Sequence, residues 1–383
     1  MTQAEASSHT AGLRVLAVVV LALTVRWASA EGIPAPRDVA YPGTIRLEVD
    51  ATDVAHRVFH VRESIPVGVP GPFVLLYPKW LPGNHSTTGP VELLAGLTIR
   101  ANGARVDWRR DAEFMHAFHL TVPAGAHELD VQFDFVTPTE EGQGRRMIVP
   151  DLLRVHWEKN LLYPAGYYAH GVSVAPAVRL PTGWAYASSL PAAQAGGEAV
   201  QFAPVSLERL VDSPLYAGAN FRRYDLDPGA KVPVWLDVFA ERPSQLEARP
   251  EQLERHRRLV REAVALFGSR HYAQYDFLLA LSDNLTDIGI EHHESSENGV
   301  EAGYFSDWDA QAAVRDLLPH EFVHSWNGKF RRPRELWTPS YEVPMHDELL
   351  WVYEGLTEYW GVVLAARSGL WSKDFALHRL AEY

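Results

Sequence analysis

The chain has 383 residues, 47% hydrophobic and 11% aromatic, which is enough apolar material for two domains with cores of ordinary size. Its net charge of −13 is spread along the sequence rather than held in a tail, which argues against a nucleic-acid partner and for a soluble protein. There is no cysteine, so disulfides, thiolate catalysis and thiolate-held metal are excluded, and any transition metal must be held by His, Asp or Glu.

Arg14 precedes an apolar run from Val15 to Val25, and Ala28-Ser-Ala30 then offers small residues for cleavage, so residues 1–30 read as an export signal. At about 1.5 Å per residue this run falls short of a hydrocarbon core about 30 Å thick, so no stable membrane anchor is expected. The mature chain is expected in the periplasm or outside the cell. From Tyr41 to Val211 short alternating segments are punctuated by Gly and Pro: Thr44–Val49, Arg57–Val61, Phe73–Tyr77, Leu97–Arg100 and Leu129–Phe135. They predict an all-β, sandwich-like module over residues 31–212. Asn102-Gly103 predicts a hairpin turn, and no convincing helix precedes residue 244.

The texture then changes, and residues 213–383 read as a second, mixed α/β domain. Pro250 opens a helix through Phe267 that Gly268 ends, with Leu253, Leu259, Val260, Ala263, Val264 and Phe267 as its apolar stripe. Phe277–Leu281 reads as a buried strand. A helix from Asp309 to about Asn327, interrupted or kinked at Pro319, follows.

The chemistry concentrates in His320-Glu-Phe-Val-His324. Residues i and i+4 share a helical face, so both imidazoles reach one ion, and Glu321 stands beside the water that ion activates. Downstream, Glu354 and Glu358 are again one helical turn apart, among aromatic and aliphatic residues that suggest burial. Two carboxylates on a buried face need positive partners. One zinc ion per chain provides them, with His320, His324 and Glu354 as its ligands and Glu358 as the acceptor that orients one imidazole.

At these residues the sequence resembles the gluzincin metallopeptidases, the thermolysin-like clan. His320-Glu-Phe-Val-His-Ser-Trp-Asn327, Arg331-Arg-Pro333 and Leu350–Leu356 are similar to the glycyl aminopeptidase family, whose members often carry a C-terminal PDZ domain, and Pro78–Gly83 resembles a loop of that family's N-terminal β-domain. The resemblance implies an α+β multidomain protein, a sandwich-like β-domain followed by a thermolysin-like α/β zinc peptidase domain. That domain reads as truncated, because the chain stops at Tyr383 in what looks like mid-helix. Ile288-Gly-Ile-Glu-His292 is similar to the edge strand that lies beside the cleft in aminopeptidases of the clan. Gly289 and Glu291 are thereby expected to bind substrate, with Glu291 on its α-amino group. His292 and His293 are expected to line the cleft or face water rather than hold a second metal.

The expected activity is hydrolysis of N-terminal peptide bonds after small residues such as Gly or Ala, with Glu321 as general base. The oxyanion donor is expected beyond residue 383. An endopeptidase with the same zinc chemistry and a zinc- or peptide-binding protein without turnover are the alternatives.

Overall fold

A computed structural model describes residues 32–194, 199–286 and 288–382; the expected export signal lies outside them. Among these residues no helix is long and apolar enough to cross a membrane.

The first half is β-rich. Its largest sheet has nine strands and is built around Thr44–Asp50, Val58–Pro66, Glu128–Val136 and Leu94–Ala101. Alternation along these strands sends one set of side chains inward, as in Leu129, Val131, Phe133 and Phe135. They share one apolar core with two four-stranded sheets. Asn102 and Gly103, at φ +51° and +77°, turn the chain between Ala101 and Ala104 and pair Ile99 with Val106, as their sequence predicts. Among the described residues one α-helix does precede residue 244. Leu207–Val211 is a single turn, capped where Ser206 Oγ accepts from the Arg209 amide at 3.2 Å, and it is too short for periodicity to reveal.

The second half is mixed. A five-stranded sheet runs in the order Asn220–Asp225, Val234–Ala240, Tyr275–Leu281, Ser295–Val300, Ile288–Glu291. The three inner strands are parallel and the two edges antiparallel. Every residue of Tyr275–Leu281 is buried, as a central parallel strand with both faces covered requires. Phe239, Leu278 and Ala280 on this sheet meet Val149, Leu152 and Tyr216 of the β-rich half, so an apolar seam joins the halves.

The helix Pro250–Phe267 begins at its proline and ends at Gly268, which takes φ +71°. Its buried face differs from the expected stripe. Gln252 and His256 are buried with Leu259, Val260 and Ala263, whereas Leu253 and Val264 are only half-buried. The polar pair is satisfied inside: Gln252 donates to the Phe305 carbonyl at 2.8 Å, and His256 bonds the Gln252 carbonyl and the Tyr304 hydroxyl. The helix expected over 309–327 is two pieces, a short 3₁₀ stretch Ala310–Val314 and an α-helix Leu317–His324. Pro319 lies in the first turn of the second piece. Amides there have no partner within the helix, so proline fits without a kink.

Candidate metal centre

Three elements build the centre: the edge strand Ile288–Glu291, the helix Leu317–His324, and a chain segment that makes one π-helical turn at Trp351–Gly355 before the helix Leu356–Ser368. Helical spacing brings the His320 and His324 rings to 4.8 Å, centre to centre. The second helix comes close because Gly361 has no side chain. A Cβ there would stand 3.2 Å from His320 Cα. The π-turn is tied down by Asn327, whose Nδ2 lies 3.1 and 3.2 Å from the Val352 and Tyr353 carbonyls and 3.0 Å from Thr357 Oγ1. Such turns interrupt the regular ladder and need other partners.

This packing puts three donor atoms in a triangle. His320 Nε2 and His324 Nε2 are 3.1 Å apart, and Glu354 Oε2 is 3.4 and 3.2 Å from them. Donors about 2.0–2.1 Å from a tetrahedral zinc ion are about 3.3 Å from one another, so the triangle fits zinc without rearrangement. The second nitrogen of each ring is already engaged. His320 Nδ1 donates to Glu358 Oε2 at 2.9 Å, and His324 Nδ1 lies 3.1 Å from the Asn327 carbonyl and 3.3 Å from Thr357 Oγ1. Both Nε2 lone pairs are thereby directed into the triangle. The Glu354–Glu358 segment is less buried than its sequence suggests: both carboxylates keep about a third of their surface, and Trp351 is 72% exposed.

Electrostatics favour a cation here. Burial opposes a charge on His320, but bonds to Glu354 and Glu358 push its pKa up to about 11. Burial likewise opposes ionisation of Glu354, and hydrogen bonds from His320, His324 and His85 hold its carboxyl far below the usual range. Glu321 is buried beside them. Burial raises it to about 7, with Glu291 and Glu354 adding to the rise and the two imidazoles opposing it. Its Oε2 has no hydrogen-bond partner, so one oxygen is left for a reacting molecule.

Gly289 and Glu291 lie on the edge strand, antiparallel to Ser295–Val300. Gly289 faces Glu321. Glu291 is 3% exposed and accepts from the Tyr353 hydroxyl at 2.5 Å. Burial would neutralise it, but the positive field of His324, Lys329 and His85, with the Tyr353 bond, holds its pKa below the ordinary value. Above it, a Cβ on Gly83 would meet Ile290 Cγ2 at 2.7 Å and Glu291 Oε2 at 3.2 Å, so the loop after Pro78 closes over this end of the strand. Glu291, Glu321 and His324 form a second group of potential ligands, but it shares His324 with the first and so offers no independent site.

His292 does not face water. It is buried between Asp212 (3.3 Å) and Glu297 (3.2 Å), and Glu297 also bonds His156 of the β-rich half at 2.7 Å. Burial opposes its protonation, but the two carboxylates raise it to about 9. Sequence reasoning missed Asn327, Tyr353 and Thr357. It also missed His85, whose Nε2 is 2.9 Å from Glu354 Oε1. Asn327 and Tyr353 stand inside the quoted motifs, and their roles appear only when the motifs meet.

Comparison with known proteins follows the same division. Residues 46–219 match the peptidase M61 N-terminal domain, and residues 313–383 match the M61 glycyl aminopeptidase domain. Among solved structures the chain is similar to an aminopeptidase N family protein from Idiomarina loihiensis, at 18% identity over 87% of this chain and 56% of that one, with a TM-score of 0.71. It is also similar to a mutant M1 zinc metallopeptidase from Deinococcus radiodurans bound to a Tyr-Ser-Ala substrate, at 18% identity over 87% and 71% of the two chains, with a TM-score of 0.50. A second structure of the Deinococcus enzyme gives 16% identity over 90% and 74%, again with a TM-score of 0.50. At these identities the likeness is one of fold. The chain spans just over half the length of the Idiomarina protein. No curated protein matches it.

Proposed function

The chain belongs to the M61 glycyl aminopeptidase family, and on that premise we propose that it is a zinc aminopeptidase that removes N-terminal residues, small ones such as Gly or Ala, from peptides. The observation that carries the reading is the triangle of His320, His324 and Glu354, with Glu321 of the same helix buried beside it and holding one unpartnered oxygen.

Bound in the triangle, zinc supplies Lewis-acid polarisation of the scissile carbonyl and acidifies the attacking water. Glu321 accepts the proton from that water and passes it to the leaving amine. Gly289 leaves room for the Glu321 carboxylate, and Glu291 receives the substrate's α-ammonium. The loop bearing Gly83 packs on Ile290 and Glu291, and this close approach beside the proposed amine-binding carboxylate supports the exopeptidase reading over an endopeptidase. In the same proposal residues 1–30 serve as an export signal, so that the activity lies outside the cytoplasm.

Metal analysis and hydrolysis of glycyl and alanyl substrates test the reading together. The wild type and Glu321→Gln should each hold about one zinc, and His320→Ala should lose it. Glu321→Gln should lose about 10²-fold or more of the activity, the usual worth of a positioned base. Zinc retained in His320→Ala, or an active Glu321→Gln, would overturn the assignment. Zinc without hydrolysis in the wild type would make the protein a metal-binding relative.

A further inference from the structure

The two oxygens of Glu354 face different ways. Oε2 completes the triangle with the two imidazoles, and Oε1 lies 2.9 Å from His85 Nε2, contributed by the β-rich half. An ionised carboxylate only accepts, so the shared proton belongs to His85 and its ring donates through Nε2. A carboxylate that binds a metal through one oxygen can still turn about its terminal torsion, which is broad and soft. A donor on the other oxygen fixes that plane.

His85 is itself held for this task. Its ring packs edge-to-face on Tyr353, 4.9 Å between centres, and its side chain is only 13% exposed. Its backbone has φ +48°, in the left-handed region that residues other than glycine seldom adopt and that persists where surroundings over-determine it. Those surroundings are explicit. The Lys79 and Trp80 amides both donate to the Tyr341 carbonyl, and the loop closes on itself through Leu81 and Ser86. Gly89 passes so close to Pro78 that a Cβ would overlap its carbonyl oxygen. The loop thus spans from the β-rich half onto the peptidase half and delivers one side chain to Glu354.

We propose that His85 is a positioning residue of the metal centre: it orients Glu354 for zinc, so that the β-rich half holds in place one member of a ligand set drawn from the peptidase half. This rests on the reading of His320, His324 and Glu354 as zinc ligands. Glu291 Oε1 also lies 3.9 Å from His85 Nε2, so one imidazole stands between the oriented ligand and the carboxylate proposed for the substrate amine.

Zinc affinity measured by competition with a chelator tests this in the full chain, without relying on turnover. His85→Ala should weaken zinc binding on the order of 10-fold or more, the usual size for losing a residue that orients a ligand. His85→Gln, which keeps an N–H donor, should recover most of that loss. Thermal unfolding of the zinc-free protein should be the same in wild type and both variants. His320→Ala serves as the control. If it abolishes high-affinity zinc while His85→Ala binds as tightly as wild type, the inference about His85 is wrong and the zinc site stands. If His320→Ala also binds normally, the zinc reading itself has failed. Equal weakening by Ala and Gln, or a matching fall in zinc-free stability, would show that His85 acts by packing rather than by its hydrogen bond and would overturn the proposal.

Discussion

A Cβ on Gly289 would stand 2.2 Å from Glu321 Oε1 and 2.7 Å from Leu317 Cδ1, so the edge strand meets the carboxylate at the one residue that has no side chain. Both obstacles are ends of flexible side chains and can move. Gly289→Ala should therefore fold and bind zinc but displace Glu321, and a displacement on the order of 1 Å costs about 10²-fold in rate. Zinc content, unfolding temperature and kcat measured together would check this. Full activity would show that Glu321 does not need the position it occupies.

Glu358 is the acceptor that orients His320, at 2.9 Å from Nδ1. Glu358→Ala should lower zinc affinity about 10–100-fold. For His324 the corresponding acceptor is the backbone carbonyl of Asn327, which no side-chain change removes, so Thr357→Val should have a much smaller effect. Chelator competition on both variants would decide, and equal losses would contradict the asymmetry.

Glu291 is buried, and the charges of His324, Lys329 and His85, with the Tyr353 hydrogen bond, hold its pKa below the ordinary value against that burial. In Glu291→Ala, cleavage of peptides with a free N-terminus should fall by about 2 kcal/mol or more in kcat/KM, the penalty for stranding a charge against an unpaired site. N-acetylated peptides should already be poor substrates and lose far less. A wild-type enzyme that cleaves both kinds equally well would replace the aminopeptidase reading with an endopeptidase.

Away from the centre, His256 is fully buried and burial pushes its pKa down from 6.5 to about 4. Between those values the unfolded chain holds a proton that the native imidazole refuses, so stability falls as pH falls. The loss should approach about 3 kcal/mol near pH 4. Urea unfolding at pH 7, 5.5 and 4 would show it, and His256→Gln should flatten that part of the slope. An unchanged slope would assign the acid sensitivity to other groups.

Much of the centre is legible in the sequence because its donors repeat at helical spacing. His320 with His324, and Glu354 with Glu358, are local patterns, and local geometry brings each pair to one face. The same holds for Asn102-Gly103, where residue type alone permits the left-handed turn. What was not legible is of two kinds. The Gln252–His256 face of its helix is polar and yet buried, because Phe305 and Tyr304 supply partners that periodicity in hydrophobicity does not register. His85 meets Glu354 across most of the chain, through a loop whose course is set by backbone bonds to Tyr341. Asn327 falls between the two: its place in a motif is visible, but its partners belong to a turn that is not α-helical.

Gly361 lets the main chain of one helix rest on His320 of another with nothing interposed. The spacing that brings Glu354 to the imidazoles is therefore gauged by backbone, which cannot change rotamer, rather than by side chains, which can. Heating or mild denaturant that loosens side chains elsewhere would leave this gauge intact until the two helices part. Capture of the metal should then be lost in one step with the contact itself, and the smallest residue in the sequence would act as the centre's measuring block.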